Sequence, residues 1–334
     1  MRISRGTLLT AVSSLIALAL LVGGFFLLRG SSNQGDAARR SDGSTLRSPF
    51  TGEPVNGGLN RVLIFKIDNV PQARPPTGLT KADIVYVLPV EGGLSRIFAV
   101  FSSQFPPVVG PVRSSREEDI QLLRQFGRPA FAFSGAQPRL LPVVEHARIV
   151  DLYSGIVGGY FRSSSRVPPY NLYARTAKLL AEAKGASKAR DIGFRFGPAP
   201  AGGKLTSVYN VSYSSAAFSI RWSAPEHRWL IWMDGKAATA ADGKALGART
   251  VVVQYARVGT SAFLELGIRP PYTHTVGHGK AVVLRNGRAY DAAWSRPTAD
   301  GGTTFTRPDG SRMPFARGQV WVIYGFGPGS TPHQ

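Results

Sequence analysis

Val109-Gly110-Pro111-Val112-Arg113-Ser114-Ser115-Arg116, continued by Glu117-Glu118-Asp119, is where the chain turns from extended to helical. Gly110 and Pro111 end the preceding apolar run. Ser114 and Ser115 each stand three residues before a glutamate, a doubled capping-box spacing that predicts a helix over 116–126. Arg113 then lies just outside the helix N-terminus and Arg116 in its first turn, so two guanidinium groups gather beside free backbone N–H groups, which suits an anion. The competing reading is a purely local pairing of these arginines with Glu117, Glu118 and Asp119.

Upstream, Arg61–Ile67 is a continuous apolar run suited to a strand buried on both faces, and it leaves through Asp68-Asn69. Pro71, Pro75, Pro76 and Gly78 force a loop before a second strand, Ala82–Leu88. Glu91-Gly92-Gly93 reads as the turn to a third strand, Ile97–Phe101, giving a hairpin with Glu91 and Arg96 near its tip. Downstream, strands at 130–133 and 149–153 alternate with helices predicted over 137–145 and 176–184, while Arg162 and Arg166 repeat the Arg-Ser chemistry ahead of Asn171. This alternation predicts an α/β domain with a mixed sheet over residues 48–192. A Pro/Gly-rich linker, 193–203, follows, and the short β segments beyond it, with hairpin turns at Asn286-Gly287 and Asp309-Gly310, predict a mainly antiparallel β domain over 204–330.

Forty Lys and Arg against 20 Asp and Glu leave a net charge of +20, which suggests nucleic acid, an anionic membrane surface or an acidic polymer. Location chooses among them. Residues 7–28 carry no charge and are long enough to cross a hydrocarbon core of ~30 Å as a helix. With no Ala-x-Ala site after Leu28, residues 1–29 read as a cytoplasmic tail plus an uncleaved single-pass signal-anchor, residues 30–47 as a flexible stalk, and the rest as an ectodomain outside the membrane. A nucleic-acid partner is thereby excluded. Arginine supplies 31 of the 40 basic residues in a chain also rich in Ala, Gly and Pro, so GC-rich coding accounts for part of the charge. The absence of cysteine removes disulfides, lipid attachment at cysteine, thiol chemistry and cysteine-ligated zinc.

Ile67-Asp68-Asn69, Ala73-Arg74-Pro75, Ala82–Tyr86, Glu91-Gly92-Gly93 with Arg96, Gly110–Ser114 with Arg116, Arg162 with Arg166, and Asn171-Leu172-Tyr173, in that order, resemble the YerB-like family of bacterial cell-envelope proteins. Thr275–Lys280, Trp294 and Trp321 extend the resemblance into the second half. It implies a bacterial cytoplasmic-membrane location and supplies no reaction, the family being one of unknown function. Three departures stand out. Where many relatives have a membrane-end cysteine this chain has none, Val87 stands where an acidic residue is common, and Tyr170 where a histidine is common.

The expected ligand site gathers Asp68, Asn69, Glu91, Arg96, Arg113, Arg116, Arg162, Arg166 and Asn171 at the ends of the α/β sheet, with the arginines gripping carboxylate or phosphate. A structural Arg/Asp/Glu network is the alternative. His146 has no evident serine partner, and His274 with His278 lies among Pro and Gly without a third ligand, so neither nucleophilic catalysis nor a metal or other cofactor is expected. Trp229 and Trp232 differ by an odd number and would face opposite sides of a strand, which argues for packing over a sugar platform. The sequence therefore reads as a membrane-anchored binding or accessory protein recognising an anionic cell-wall component or an envelope protein. The alternatives are a hydrolase or transferase on an envelope polymer using Asp68 and Glu91 as acid and base, and a structural scaffold for wall-synthesis enzymes.

Overall fold

Local chemistry sets most strands where the apolar runs stand. In the computed structural model, which describes residues 45–265 and 267–330, the first half supplies β1 (Leu63–Asp68), β2 (Ile84–Pro89), β3 (Ser95–Phe101), β4 (Ala130–Phe133) and β5 (Val150–Tyr153). The second half supplies β6 (Val208–Ser212), β7 (Ala217–Ser223), β8 (Arg228–Met233), β9 (Thr250–Ala256), β10 (Gly277–Arg285), β11 (Arg288–Arg296), β12 (Thr304–Thr306) and β13 (Val320–Phe326). Shorter strands are given by residue number. The apolar stretch 7–28 and the stalk through residue 44 lie outside the described residues. Among those described, no helix is long and apolar enough to cross a membrane.

One large mixed sheet runs in the order β12-β11-β10-β9-β13-β2-β3-β1-β4-β5, with Lys204–Leu205 also pairing β11. Its strands come from both halves of the sequence. The closing strand β13 lies between β9 and β2 and parallel to both, Val320 pairing Thr250 on one side and Ile84 on the other. A smaller antiparallel sheet, β6-β7-β8 with Lys236–Ala237 and Gly247–Ala248, packs on one face, where Val211, Ile220 and Trp229 meet Val251, Val253 and Trp321. The opposite face is covered by Leu122, Phe126 and Val144 against Ile64, Phe98 and Phe131. β1 accordingly feeds both apolar layers: Leu63, Phe65 and Ile67 point into one and Ile64 into the other.

The helices are few and short: α1 (Glu117–Leu123), continued by a 3₁₀ turn at Arg124–Phe126, α2 (Leu141–Glu145) and α3 (Thr176–Glu182). The first half is thus a mixed-sheet domain with few helices, less regular than the alternation of strands and helices expected for an α/β domain. The helix expected over 137–145 starts at Leu141, because the Gln137 side chain accepts the N–H groups of Arg139 and Leu140 in a turn instead. The hairpin turns fall as the sequence predicts. Asn286 and Gly287 both have positive φ, 50° and 69°, the primed turn that matches strand twist between β10 and β11.

Candidate functional site

β1, β2, β4, β5, β9 and β13 all run in one direction, so their carboxyl ends share one edge of the sheet. Residues 111–115 thread along that edge between β1 and β4: Asp68 donates to the Pro111 carbonyl at 2.9 Å, Arg113 to Lys66 at 2.8 Å, Ser134 to Arg113 at 3.0 Å and Ser115 to Gly135 at 2.8 Å, all through backbone amides. Close approach explains Gly110, where a Cβ would lie 2.6 Å from the Tyr173 ring. The chain then enters α1, and the cap differs from the sequence expectation. Arg116 is the N-cap residue, and Asp119, not a glutamate paired with Ser114 or Ser115, reaches back to accept its N–H at 2.7 Å. Asp119 also accepts from the Ser115 hydroxyl at 3.2 Å and from the Lys66 ammonium at 2.6 Å.

Three groups of charges meet at this edge. Lys66 and Asp119 form a pair with both side chains 0% exposed. Glu91, at the tip of the β2–β3 hairpin, is shared by Arg96 at 3.1 Å and by Arg116, whose Nε donates at 2.9 Å; Arg116 also approaches Glu265, from the segment after β9, at 3.5 Å. Arg113 contacts the buried Asp68 carboxylate at 2.9 Å through Nε, outside hydrogen-bond alignment, and its guanidinium carbon lies 5.9 Å from the centre of the Tyr170 ring. Next to Tyr170, Asn171 accepts from Arg162 at 2.8 Å and donates to the Ser163 carbonyl.

Electrostatics separate an inner from an outer part. Burial acts to raise the Glu91 carboxyl, but the Arg116 hydrogen bond and the charges of Arg96 and Arg116 outweigh it and hold the group at about 2. Burial and the charge of Arg116 depress the Arg96 guanidinium to about 10 against the opposing pull of Glu91 and Asp68. Glu118 is 1% exposed with neither carboxylate oxygen hydrogen-bonded, and burial, then the neighbouring Asp119, push it up to about 8 despite Lys66. With Glu118 largely protonated at neutral pH, the charges of Lys66 and Asp119, Asp68 and Arg113, and the Glu91, Glu265, Arg96 and Arg116 quartet balance. The side chain of Arg113 is 25% exposed, with its terminal nitrogens making no hydrogen bond to the described residues, and Arg162 is exposed with the neutral Asn171 as its hydrogen-bond partner.

The sheet edge therefore brings together Asp68, Glu91, Arg96, Arg113 and Arg116, with Asn171 and Arg162 beside them. Asn69 and Arg166 serve the adjoining loop. Asn69 donates to the Ser95 hydroxyl and receives Arg74, while Arg166 donates to the carbonyls of Ala73 and Pro75. Lys66 and Glu265 are members that sequence reasoning missed, and Glu118 and Asp119 entered it only as local partners of the arginines; a lysine inside the run Arg61–Ile67 is a signal, since a buried ammonium needs a partner. His274 stacks edge-on against Tyr272 and meets Arg257, at 2.9 Å from its Nε2. Among the described residues, no three His, Cys, Asp or Glu side chains are grouped to hold a metal ion.

The sequence and the fold have known relatives. Residues 50–190 match the family described as "Protein of unknown function (DUF3048) N-terminal domain", and residues 209–322 match the corresponding DUF3048 C-terminal domain. Over 312 residues, 89% of this chain and 91% of the relative, the sequence is 27% identical to the Bacillus subtilis (strain 168) protein named "Putative lipoprotein YerB". The crystal structure of YerB protein from Bacillus subtilis matches with a TM-score of 0.70 and 24% identity, covering 84% of this chain and 96% of that one, a likeness of fold.

Proposed function

The chain belongs to the two-domain DUF3048 family, and from that membership and the charge layout at the sheet edge we propose that it is a membrane-attached, extracytoplasmic envelope protein that binds an anionic wall component without transforming it. The apolar stretch 7–28 would take the role that a lipid plays in a lipoprotein, since the chain has no cysteine. One observation carries the binding reading: Arg113, paired with Asp68 on one side only, and Arg162, whose partner Asn171 is neutral, keep guanidinium surface toward solvent around Tyr170 and Asn171. Arginines held in place by one partner and open on another side suit bidentate contact with a carboxylate or phosphate.

The same layout argues against an acid–base pair on a wall polymer. Glu91, held at about 2 by two arginines, carries no proton to donate at neutral pH, and Asp68 is buried against Arg113. The test is co-sedimentation with purified cell-wall sacculi at low and high salt, comparing the wild type with an Arg113→Ala/Arg162→Ala variant. Attraction through the overall +20 charge fades in both as the ~10 Å screening length at 0.1 M shortens. A salt-resistant bound fraction in the wild type, reduced about tenfold in the folded variant, is the expected result, equivalent to the ~1.4 kcal/mol of one charge-assisted contact. Equal binding by both, or by neither, overturns the reading.

A further inference from the structure

β6 is an edge strand, and its free side has an unusual setting. In the smaller sheet it pairs only with β7, in the register Val208 to Arg221 through Ser212 to Ala217. Trp222 donates to the Ser207 carbonyl at 2.8 Å and Tyr213 to Ala216 at 2.7 Å, so the ladder bonds to β7 belong to residues 207, 209, 211 and 213. The N–H and C=O groups of Val208, Asn210 and Ser212 point the other way, and among the described residues they meet no partner. All three residues are exposed, whereas Val211 between them is buried.

That free side overlooks an open floor. β10 and β11 bury Ala281, Val283, Tyr290 and Ala292 in the core, while the opposite face carries Lys280, Val282, Asp291 and Ala293, with Val282 paired to Asp291 and Lys280 to Ala293. The smaller sheet covers the neighbouring strands and stops at β6, where Tyr209 reaches down to bond the Tyr255 hydroxyl at 2.8 Å. Beyond it lie two abutting grooves of about 730 and 610 Å³, which share Val282, Asp291, Arg307 and Pro308. One wall of the first is the chain from Ala201 to Tyr209.

We propose that this edge is a docking site for an extended segment of a partner polypeptide, which adds to β6 as a further strand and lies over the β10–β11 floor. Outward donors and acceptors repeating every second residue, about 6.6 Å apart, are complementary to another extended backbone and to no sugar polymer of different repeat. The floor specifies the segment further. Its inward side chains meet Val282 and Ala293, which accept apolar groups, and Asp291, an exposed carboxylate without an ion pair among the described residues, which favours a basic side chain opposite it; Arg307 in the shared lining is already paired with Asp309, and Lys280, exposed beside Ala293, disfavours a second basic residue there. Natural proteins shield exposed edges with charge, proline or a covering segment, and Val208-Tyr209-Asn210-Val211-Ser212 has no charge and no proline. This surface is separate from the arginine site, so either assignment can fail without the other.

The test uses the full chain in detergent and a displayed library of random 12-residue peptides. Peptides that bind are expected to alternate apolar residues with a basic one, and to slow residue-resolved amide exchange at Val208, Asn210 and Ser212 while leaving Val211 unchanged. Asn210→Pro deletes an outward donor without touching the β7 ladder and should weaken those peptides at least tenfold; Asp291→Lys should reverse the preference for the basic residue. Exchange on the wild type decides the matter even if Asn210→Pro fails to fold. The proposal is overturned if no peptide is selected, or if selected peptides bind without protecting those amides. Protection that rises with protein concentration alone would assign the edge to a second copy, and protection by wall glycan would assign it to sugar; either result also overturns it.

Discussion

Lys66 and Asp119 lie 53 positions apart in sequence and meet with no solvent between them. Losing one partner leaves the other ionised or unsatisfied in the core, so Asp119→Ala is expected to cost about 3–5 kcal/mol of stability, read from the denaturant midpoint. A double change to Lys66→Met and Asp119→Leu should recover only part of that loss, because it removes both charges at once but leaves the Arg116 N–H and the Ser115 hydroxyl without their acceptor. Glu118 beside them makes the opposite contribution. Its carboxyl titrates near 4.5 when unfolded and near 8 in the fold, so the native state holds a proton that the unfolded chain has released across that interval. Stability from this group is therefore greatest below pH 4.5 and declines as pH rises toward 8. Glu118→Gln should raise the melting temperature at pH 8 and change it little at pH 4, and an equal shift at both would refute the assignment. At this scale the sequence was only partly legible. Arg113 and Arg116 could be placed at a helix start from local spacing, but Glu118 could not be told from a solvated first-turn residue, because burial is decided by what packs above it.

The β2–β3 hairpin shows what an element discloses by itself. Its strands and its Glu91-Gly92-Gly93 turn were readable because turn chemistry is local, and so was the position of Glu91 and Arg96 near the tip, though not their pairing at 3.1 Å. Its second role was not readable. Gly93, at φ 66°, sits so close to Ser214 that an added Cβ would fall 1.8 Å from that hydroxyl and 2.8 Å from the Ser215 nitrogen, whose N–H donates to the Gly93 carbonyl at 3.0 Å. Gly93→Val should destabilise the fold by about 2 kcal/mol or more through strain and collision together, as measured by thermal melting. Adding Ser214→Gly should restore only part of the loss, since the backbone contact and the positive φ remain. The very short strands, such as Lys204–Leu205 against β11, escaped the sequence reading for the same reason: two residues carry no periodicity, and their pairing depends on partners more than 80 positions away.

For the whole molecule, the decisive placement is that of β13. Its apolar run Val320–Tyr324 suits a buried strand, yet nothing local says that it enters the middle of the large sheet between strands from the two halves. The described chain from Leu46 onward accordingly forms one compact unit. A chain ending before Gln319 should lose near-native circular dichroism and protease resistance in both halves, where independently stable halves would keep one of them intact. The intact protein should melt in a single cooperative step. The placement of β13 also bears on the order in which the chain is made. Its seven residues are synthesised after both strands they join, so β2 and β9 wait with open edges until β13 has been made. Until β13 is in place the large sheet stays in two parts, and each part shows an unpaired row of backbone donors and acceptors to whatever meets it first.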